Sequence, residues 1–160
     1  MIPLVKQQAK RVNTIRMPIL VFIWFVFWRA VMGMRTEREF VVDWVSEHFS
    51  QRWASEVEMA FSGHPITCFV ALDADSRLAG FACYDTSFRG FFGPTGVLKT
   101  NRGKGVGTAL LLRALSAMED SGYAYAIIGY SGANEYYQKT VGAIPIEDSE
   151  PGPYRGWIQG

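Results

Sequence analysis

Cysteine is scarce in this sequence, and its two positions carry no metal-binding or disulfide pattern. Cys68 and Cys83 are the only cysteines among the 160 residues, with no C-x-x-C pair and no Cys/His spacing around them. That excludes zinc ribbons and disulfide-stabilised secreted scaffolds. Isolated cysteines in apolar surroundings are typical of core thiols in a reducing compartment. We therefore expect a cytoplasmic protein without a metal site.

The chain also lacks an excess of either charge. Sixteen Lys and Arg residues face 15 Asp and Glu residues, for a net charge of +1. A dedicated nucleic-acid-binding protein needs a basic surface that attracts phosphates over long range. We therefore expect no nucleic-acid partner.

No apolar run is long enough to span a membrane, which takes about 20 residues. Residues 17–28 form an unbroken apolar run rich in β-branched and aromatic side chains, ended by Arg29. This composition favours a buried first strand. Because basic residues precede the run, a signal peptide or a membrane-surface segment is the alternative. Residues 1–16 carry no usable pattern and are assigned to an N-terminal extension, with disorder as one alternative.

Helix and strand signals alternate along the rest of the chain, which has the size of one domain, residues 1–160. Apolar spacing predicts a helix capped by Thr36 and a second helix around Trp53 that stops at Gly63. Strands are predicted at residues 66–72, 78–84, 91–98 and 123–128, and a short helix at residues 133–141. Pro and Gly within residues 91–98 indicate a bulge that leaves backbone groups free for a ligand.

A glycine-rich loop at residues 102–107, Arg-Gly-Lys-Gly-Val-Gly, leads directly into a helix with an apolar stripe. The first amides of a helix lack internal partners and carry the positive end of its dipole. Glycines at the entry let these amides approach a phosphate closely. The loop therefore predicts an anion site. Two such β-α units in succession predict a parallel pair of central strands.

Two other phosphate-binding motifs do not fit this loop. A Walker loop needs Ser or Thr directly after a Gly-Lys pair, and Gly103-Lys104 is followed by Gly105. A dinucleotide-binding motif needs an acidic residue at the end of the next strand, whereas residues 123–128 are followed by Gly129 and Tyr130. Both alternatives are excluded.

The loop resembles the acyl-CoA signature of the GNAT superfamily of N-acetyltransferases, Q/R-x-x-G-x-G/A, through Arg102, Gly105 and Gly107. Val97, five residues earlier, stands where that family places a hydrophobic residue on a bulged strand that pairs with pantetheine. Residues 136–143 are similar to the family's segment around a tyrosine, with one extra residue before Gly142 and Ala143 in place of Phe. The resemblance covers roughly residues 19–159.

The resemblance implies an α/β fold with a mixed sheet of six or seven strands, about four helices and a closing hairpin. It also implies acetyl-CoA as co-substrate and an amine acceptor. The residues expected to bind acetyl-CoA are Val97, Leu98, Arg102, Gly103, Lys104, Gly105, Val106, Gly107, Thr108 and Asn134. Asn134 is not equivalent by spacing to the asparagine of the family.

Acetyl transfer to an amine needs a neutral nucleophile, a polarised thioester carbonyl and a proton for the leaving thiolate. Backbone amides at residues 96–98 are candidates to polarise the carbonyl. Tyr137 matches the family's tyrosine and is the chosen proton donor, because a phenol with a pKa near about 10 stays protonated at neutral pH. Tyr136 is its competitor, about 100° away around the helix. The structural alternative is that both rings belong to the core.

The general base is harder to assign, because residues 91–98 contain no carboxylate. Glu56, on the helix that borders the acceptor groove in the family, is the candidate, directly or through water; a solvated carboxylate is the alternative. His48 is expected at a packed or boundary position and His64 in a loop. Asp85 and Arg89 are weaker candidates for substrate contact.

These observations predict an N-acetyltransferase that joins acetyl-CoA and a small-molecule or peptide amine in a ternary complex. A catalytically silent acyl-CoA-binding module on the same fold is the alternative from another class. A membrane-associated protein anchored through residues 17–28 is a third. The acceptor is left open, and so is a homodimer.

Overall fold

The computed structural model describes residues 29–129, 131–149 and 152–155. The apolar run at residues 17–28 and the extension at residues 1–16 lie outside the described residues. Arg29 was expected to end the first strand, and this was wrong: β1 spans Arg29–Met32 and pairs antiparallel with the strand at Cys68–Leu72. The charged residue is therefore part of β1.

The described strands form one mixed sheet in the order β1-β2-β3-β4-β5. They are β1 (Arg29–Met32), β2 (Cys68–Leu72), β3 (Leu78–Tyr84), β4 (Phe91–Val97) and β5 (Ile127–Ile128). The first four pair antiparallel, and β5 pairs parallel with β4 through Phe91 and Phe92. The predicted α/β class, the hairpin of β2 and β3, and the parallel central pair are confirmed.

Four α-helices cover the two faces of this sheet within the described ranges. They are α1 (Arg38–His48), α2 (Gln51–Ser62), α3 (Val106–Asp120) and α4 (Asn134–Val141). Phe81 and Cys83 of β3 pack in one core cluster with α1 and α2. Ala82 and Tyr84 pack in a second cluster with α3 and Tyr137 of α4. Side chains alternate between the two faces along a strand, so every residue of β3 is buried.

Several predicted boundaries change. Thr36 is not a helix cap, because it lies within a 3-10 turn at Arg35–Glu37 that precedes α1. The helix at Trp53 begins after Ser50, whose hydroxyl accepts a hydrogen bond from the Trp53 amide and caps α2. The strand expected at residues 123–128 shrinks to Ile127–Ile128.

The predicted six or seven strands become five among the described residues, because the closing hairpin is not formed there. Residues 143–149 carry no regular element, and Gly152–Tyr154 forms a 3-10 turn. Both cysteines are free and buried, as expected, and face each other across β2 and β3. No described helix is both long enough and apolar enough to cross a membrane.

Candidate active site

The glycine-rich loop meets the N-terminus of α3, as its sequence predicts. Gly103 and Gly105 have φ angles of 72° and 80°, in the left-handed region that glycine adopts without strain. Among the described residues, no hydrogen-bond acceptor lies within reach of the backbone amides of residues 103–108. Six consecutive free donors at the positive end of a 15-residue helix are an arrangement that favours an anion.

A cavity of about 450 Å³ opens beside these amides. It is lined by Val97, Asn101, Arg102, Gly103, Gly105, Val106, Gly107, Thr108 and Tyr136. The lining therefore joins the loop, the first turn of α3, the end of β4 and one side chain of α4. This is a continuous surface long enough to contact more than a phosphate group.

Arg102 ties the loop to the sheet. Its Nε donates to the Val97 carbonyl at 3.1 Å, while the side chain remains exposed. Lys104 is exposed as well. The two cations add positive potential at the mouth of the cavity, and the backbone amides supply the directed hydrogen bonds.

β4 carries a bulge and then leaves its neighbour, as expected from its Pro and Gly residues. Tyr84 pairs with Phe92 and Ala82 with Thr95, so β4 has one extra residue in this interval. β5 pairs with β4 only at Phe91 and Phe92. Beyond Phe92, the side of β4 that faces away from β3 has no described strand beside it. A gap therefore opens between β4 and β5 at Gly93.

The amides that face this gap are not all those expected from sequence. The Leu98 amide donates to the Ala79 carbonyl at 2.9 Å, so it is not free for a ligand, and that expectation was wrong. Alternation along an antiparallel pair directs the amide of Gly96 toward β3 too, and those of Thr95 and Val97 into the gap.

Gly96 has a packing role instead. A Cβ at this position would lie 2.5 Å from the ring of Phe49, so only glycine lets the end of α1 approach β4 this closely. The sequence cannot reveal this approach, because Phe49 and Gly96 are far apart in the chain.

The two adjacent tyrosines of α4 occupy different environments. Tyr136 is half-buried, lines the cavity, and its hydroxyl lies 3.2 Å from that of Thr108 in the first turn of α3. Tyr137 is 9% exposed and packs edge-on against Phe92, the last residue of β4 before the gap. Tyr136 therefore borders the cavity, and Tyr137, whose ring lies 5.1 Å from that of Tyr136, packs where β4 and β5 separate.

Burial also changes the acidity of Tyr137. Desolvation, and to a smaller extent its neighbour Tyr136, raise the pKa of the Tyr137 phenol to about 12. No described residue forms a hydrogen bond with its hydroxyl, which leaves the group available to a ligand. The phenol is protonated at neutral pH.

Glu56 reaches the gap from the other face of the sheet. The Thr86 hydroxyl, just after β3, lies 3.2 Å from Glu56 Oε2 and 3.0 Å from the Gly93 carbonyl. Gly93 is the first residue of β4 past the pairing with β5. Glu56 and Tyr137 therefore approach the same end of the gap from opposite faces.

Other candidates have structural settings. Asp85 accepts hydrogen bonds from the Gly90 amide at 2.6 Å and the Tyr123 hydroxyl at 2.7 Å, which hold the turn between β3 and β4. Arg89, His48 and His64 are exposed, with His64 beside the Arg35 guanidinium. Asn134 begins α4 and lines a second cavity of about 380 Å³ that shares Tyr136 with the first.

The sequence did not indicate two residues of the candidate site, and it did not indicate the position of a third. Thr86 and Thr95 had no motif around them, since their neighbours in the site come from distant parts of the chain. Tyr136 was considered only as a competitor of Tyr137 for the proton. A helical-wheel argument places the two rings about 100° apart but does not say which of them faces the loop.

Known structures share this fold. A GNAT family acetyltransferase from Brucella melitensis in complex with acetyl-CoA matches at 16% identity and a TM-score of 0.53, over 69% of this chain and 80% of that one. The ribosomal-protein-alanine N-acetyltransferase of Brucella melitensis biovar Abortus 2308 matches at 14% identity and a TM-score of 0.55, over 74% and 94% of the two chains.

A proposed acetyltransferase from Pyrococcus horikoshii also matches, at 19% identity and a TM-score of 0.52 over 70% of this chain. The match spans only 42% of that longer protein. Identities this low establish the fold alone. No curated protein matches the sequence.

The sequence itself identifies the family. The sequence profile of the acetyltransferase (GNAT) family matches residues 32–143, from the end of β1 to just past α4. This range contains the glycine-rich loop, the gap and both tyrosines. The chain therefore belongs to the GNAT acetyltransferase family.

Proposed function

We propose that this protein transfers an acetyl group from acetyl-CoA to a primary amine by direct attack in a ternary complex. One observation carries the proposal: the six free amides of residues 103–108 open into the cavity that continues toward the β4–β5 gap. A pyrophosphate on these amides would place the rest of the molecule along the unpaired side of β4.

The loop residues fit a pyrophosphate for a physical reason. Side chains at Gly103 and Gly105 would strain the left-handed conformation of these two residues, which leaves the loop amides free. Arg102 and Lys104 would add charge, and the hydroxyls of Thr108 and Tyr136 would donate to phosphate or pantetheine oxygens at the cavity wall.

The gap suits the thioester. The amide of Val97 would donate to the pantetheine arm, and the amide of Thr95, nearer to Gly93, would donate to the thioester carbonyl oxygen. A backbone donor aimed at that oxygen stabilises the negative charge that develops on it during attack. The arm also covers the unpaired side of β4 and keeps water from these donors.

Two side chains would move the protons. Glu56, at the Gly93 end of the gap, would take a proton from the ammonium form of the acceptor, directly or through water, which makes the amine a nucleophile. Tyr137 would donate its proton to the departing thiolate from the opposite face, and its phenolate would regain a proton from the attacking nitrogen, which loses one as the amide forms. Its partner-free hydroxyl and its raised pKa keep that proton in place until the thiolate forms.

A binding module without transferase activity is the second candidate, and the burial of Tyr137 favours it. A phenol whose pKa is raised to about 12 is a weaker acid than an ordinary tyrosine. In that case the protein would hold acetyl-CoA without delivering the acetyl group.

The deciding experiment measures binding and turnover separately. Calorimetric titration with acetyl-CoA tests the site, and thiol release in the presence of a panel of primary amines tests transfer. We expect micromolar binding, and thiol release that depends on at least one amine. Binding without release for any amine, peptide amines included, would support the silent module. Absence of binding would contradict both functions.

A further inference from the structure

The hydroxyl of Thr86 sits between two acceptors at the catalytic end of the gap. Thr86 Oγ1 lies 3.2 Å from Glu56 Oε2 and 3.0 Å from the Gly93 carbonyl oxygen. A threonine hydroxyl carries one proton and also accepts hydrogen bonds. It can therefore donate to only one of these two oxygens at a time, and the other must be satisfied in another way.

We infer that Thr86 is a positioning residue for Glu56. The Thr86 hydroxyl forms a hydrogen bond with the Glu56 carboxyl group in both protonation states of that group. This inference rests on the proposed function, because it takes Glu56 as the base of the transfer reaction. It assigns Thr86 a role through Glu56 and not through contact with the reacting atoms.

The two states differ by one proton on Glu56 and by the direction of the Thr86 O–H bond. When Glu56 is ionised, the Thr86 hydroxyl donates to Glu56 Oε2, a charge-assisted hydrogen bond. After Glu56 has taken a proton from the acceptor ammonium, its own O–H donates to Thr86 Oγ1. The Thr86 hydroxyl then rotates and donates to the Gly93 carbonyl. No proton leaves Thr86, so the proton balance of the reaction is unchanged.

The location of the three residues makes this exchange useful. Glu56 is on α2, Thr86 follows β3, and Gly93 begins the unpaired part of β4, so the contact joins three separate elements. A long carboxylate side chain on a helix has several rotamers, and a hydrogen bond at its tip selects one of them. Thr86 thereby holds the base at the point where β4 and β5 separate.

Removing the hydroxyl while keeping the shape tests this role. Thr86→Val should lower kcat about ten- to hundredfold, the loss typical of a hydrogen bond to a charged group. The KM for acetyl-CoA should stay the same, because the phosphate loop is at the other end of the gap. Thr86→Ser keeps the hydroxyl and should retain kcat within about threefold of wild type. Equal loss in Thr86→Val and Thr86→Ser would overturn the inference.

A double-mutant cycle separates positioning of Glu56 from a general structural effect. In a Glu56→Gln background, Thr86→Val should cause less than about a twofold further change in kcat, because there is no base left to position. A full ten- to hundredfold loss in that background would place the effect of Thr86 elsewhere. Normal turnover of Glu56→Gln itself would overturn both the base assignment and the inference.

A second cycle, with Glu56→Ala in place of Glu56→Gln, gives an answer that does not depend on activity, because a glutamine could still accept the hydrogen bond from Thr86. Urea unfolding gives the unfolding equilibrium constant of wild type, of both single variants and of the double variant. The effect of the double substitution on this constant should differ by about threefold or more from the product of the two single effects, which means that their free energies are not additive. Additive effects would mean that Glu56 and Thr86 do not interact, and would overturn the inference. If wild type acetylates no amine, the proposed transferase function fails, and this stability cycle still decides the contact.

Discussion

The two ends of the gap between β4 and β5 are built from different parts of the chain. At the proposed phosphate end, the free backbone amides come from one continuous segment, residues 103–108. At the proposed catalytic end, side chains from three segments lie near Phe92 and Gly93: Glu56 of α2, Thr86 after β3 and Tyr137 of α4. In the proposed function, cofactor binding would depend on the backbone conformation of one segment, whereas catalysis would depend on how the tertiary fold places side chains from distant segments.

The largest expected effect tests the catalytic end. Tyr137→Phe removes one hydroxyl from a buried ring and should lower kcat by the about 10²- to 10⁴-fold typical of losing a general acid. Affinity for acetyl-CoA should stay near that of wild type, because the phosphate loop is untouched. Steady-state kinetics with an amine substrate and calorimetric titration measure the two quantities. Normal turnover of Tyr137→Phe would mean that water or another residue supplies the proton.

The phosphate end should respond in the opposite way. Gly105→Val forces a β-branched side chain into a backbone conformation with a φ of 80°, which should disturb the free amides. We expect the Kd for acetyl-CoA to rise about 10- to 100-fold, which corresponds to the loss of one hydrogen bond to a charged group. Gly122→Val is the matched control, with a φ of 89° just past the other end of α3. Wild-type affinity in Gly105→Val, or equal loss in both variants, would contradict the assignment of the loop.

A smaller effect is expected where the two ends share a helix. Tyr136→Phe removes the hydroxyl near Thr108 at the cavity wall, and should raise the KM for acetyl-CoA about three- to tenfold with little change in kcat. Tyr137→Phe is its natural counterpart, because the two residues are neighbours in sequence and the same substitution should affect KM at one position and kcat at the other. If Tyr136→Phe lost kcat and Tyr137→Phe did not, the roles of the two tyrosines would be exchanged.

The smallest effect concerns stability at high pH. The pKa of Tyr137 is raised from 10 to about 12 in the folded protein, because burial disfavours the phenolate. Its contribution to stability is therefore fully present below pH 10 and is lost as the pH rises toward 12. Urea unfolding should show a steeper loss of stability over this range in wild type than in Tyr137→Phe. Identical pH dependence would mean that Tyr137 is solvated.

The same contrast explains how much of the molecule could be predicted from its sequence. The loop at the start of α3 is local, and the spacing of Gly103, Gly105 and Gly107 before an apolar helix was enough to predict its geometry; phosphate binding there stays a prediction. The helix at Trp53 and the hairpin of β2 and β3 are confirmed for the same reason: their patterns are contained in short segments. The parallel pair of β4 and β5 is confirmed because the order of strand, helix and strand predicts it.

Features that depend on distant partners could not be predicted. Phe40 of α1 is apolar and yet 68% exposed, because α1 buries Val41 and Val45 instead. The Leu98 amide was expected to be free, but it donates to the carbonyl of Ala79 on another strand, and the sequence near Leu98 does not indicate that partner. The contact of Thr86 with Glu56 and Gly93 likewise joins residues that no short pattern relates.

The most direct test of the central claim is the response of the loop amides to CoA. In ¹H–¹⁵N NMR spectra, addition of CoA should shift the amide signals of Gly103, Gly105 and Gly107 strongly, because they would donate to the pyrophosphate. Pantetheine, which lacks the pyrophosphate, should leave these three signals nearly unchanged. Loop signals that do not respond to CoA, or that respond equally to pantetheine, would contradict the account.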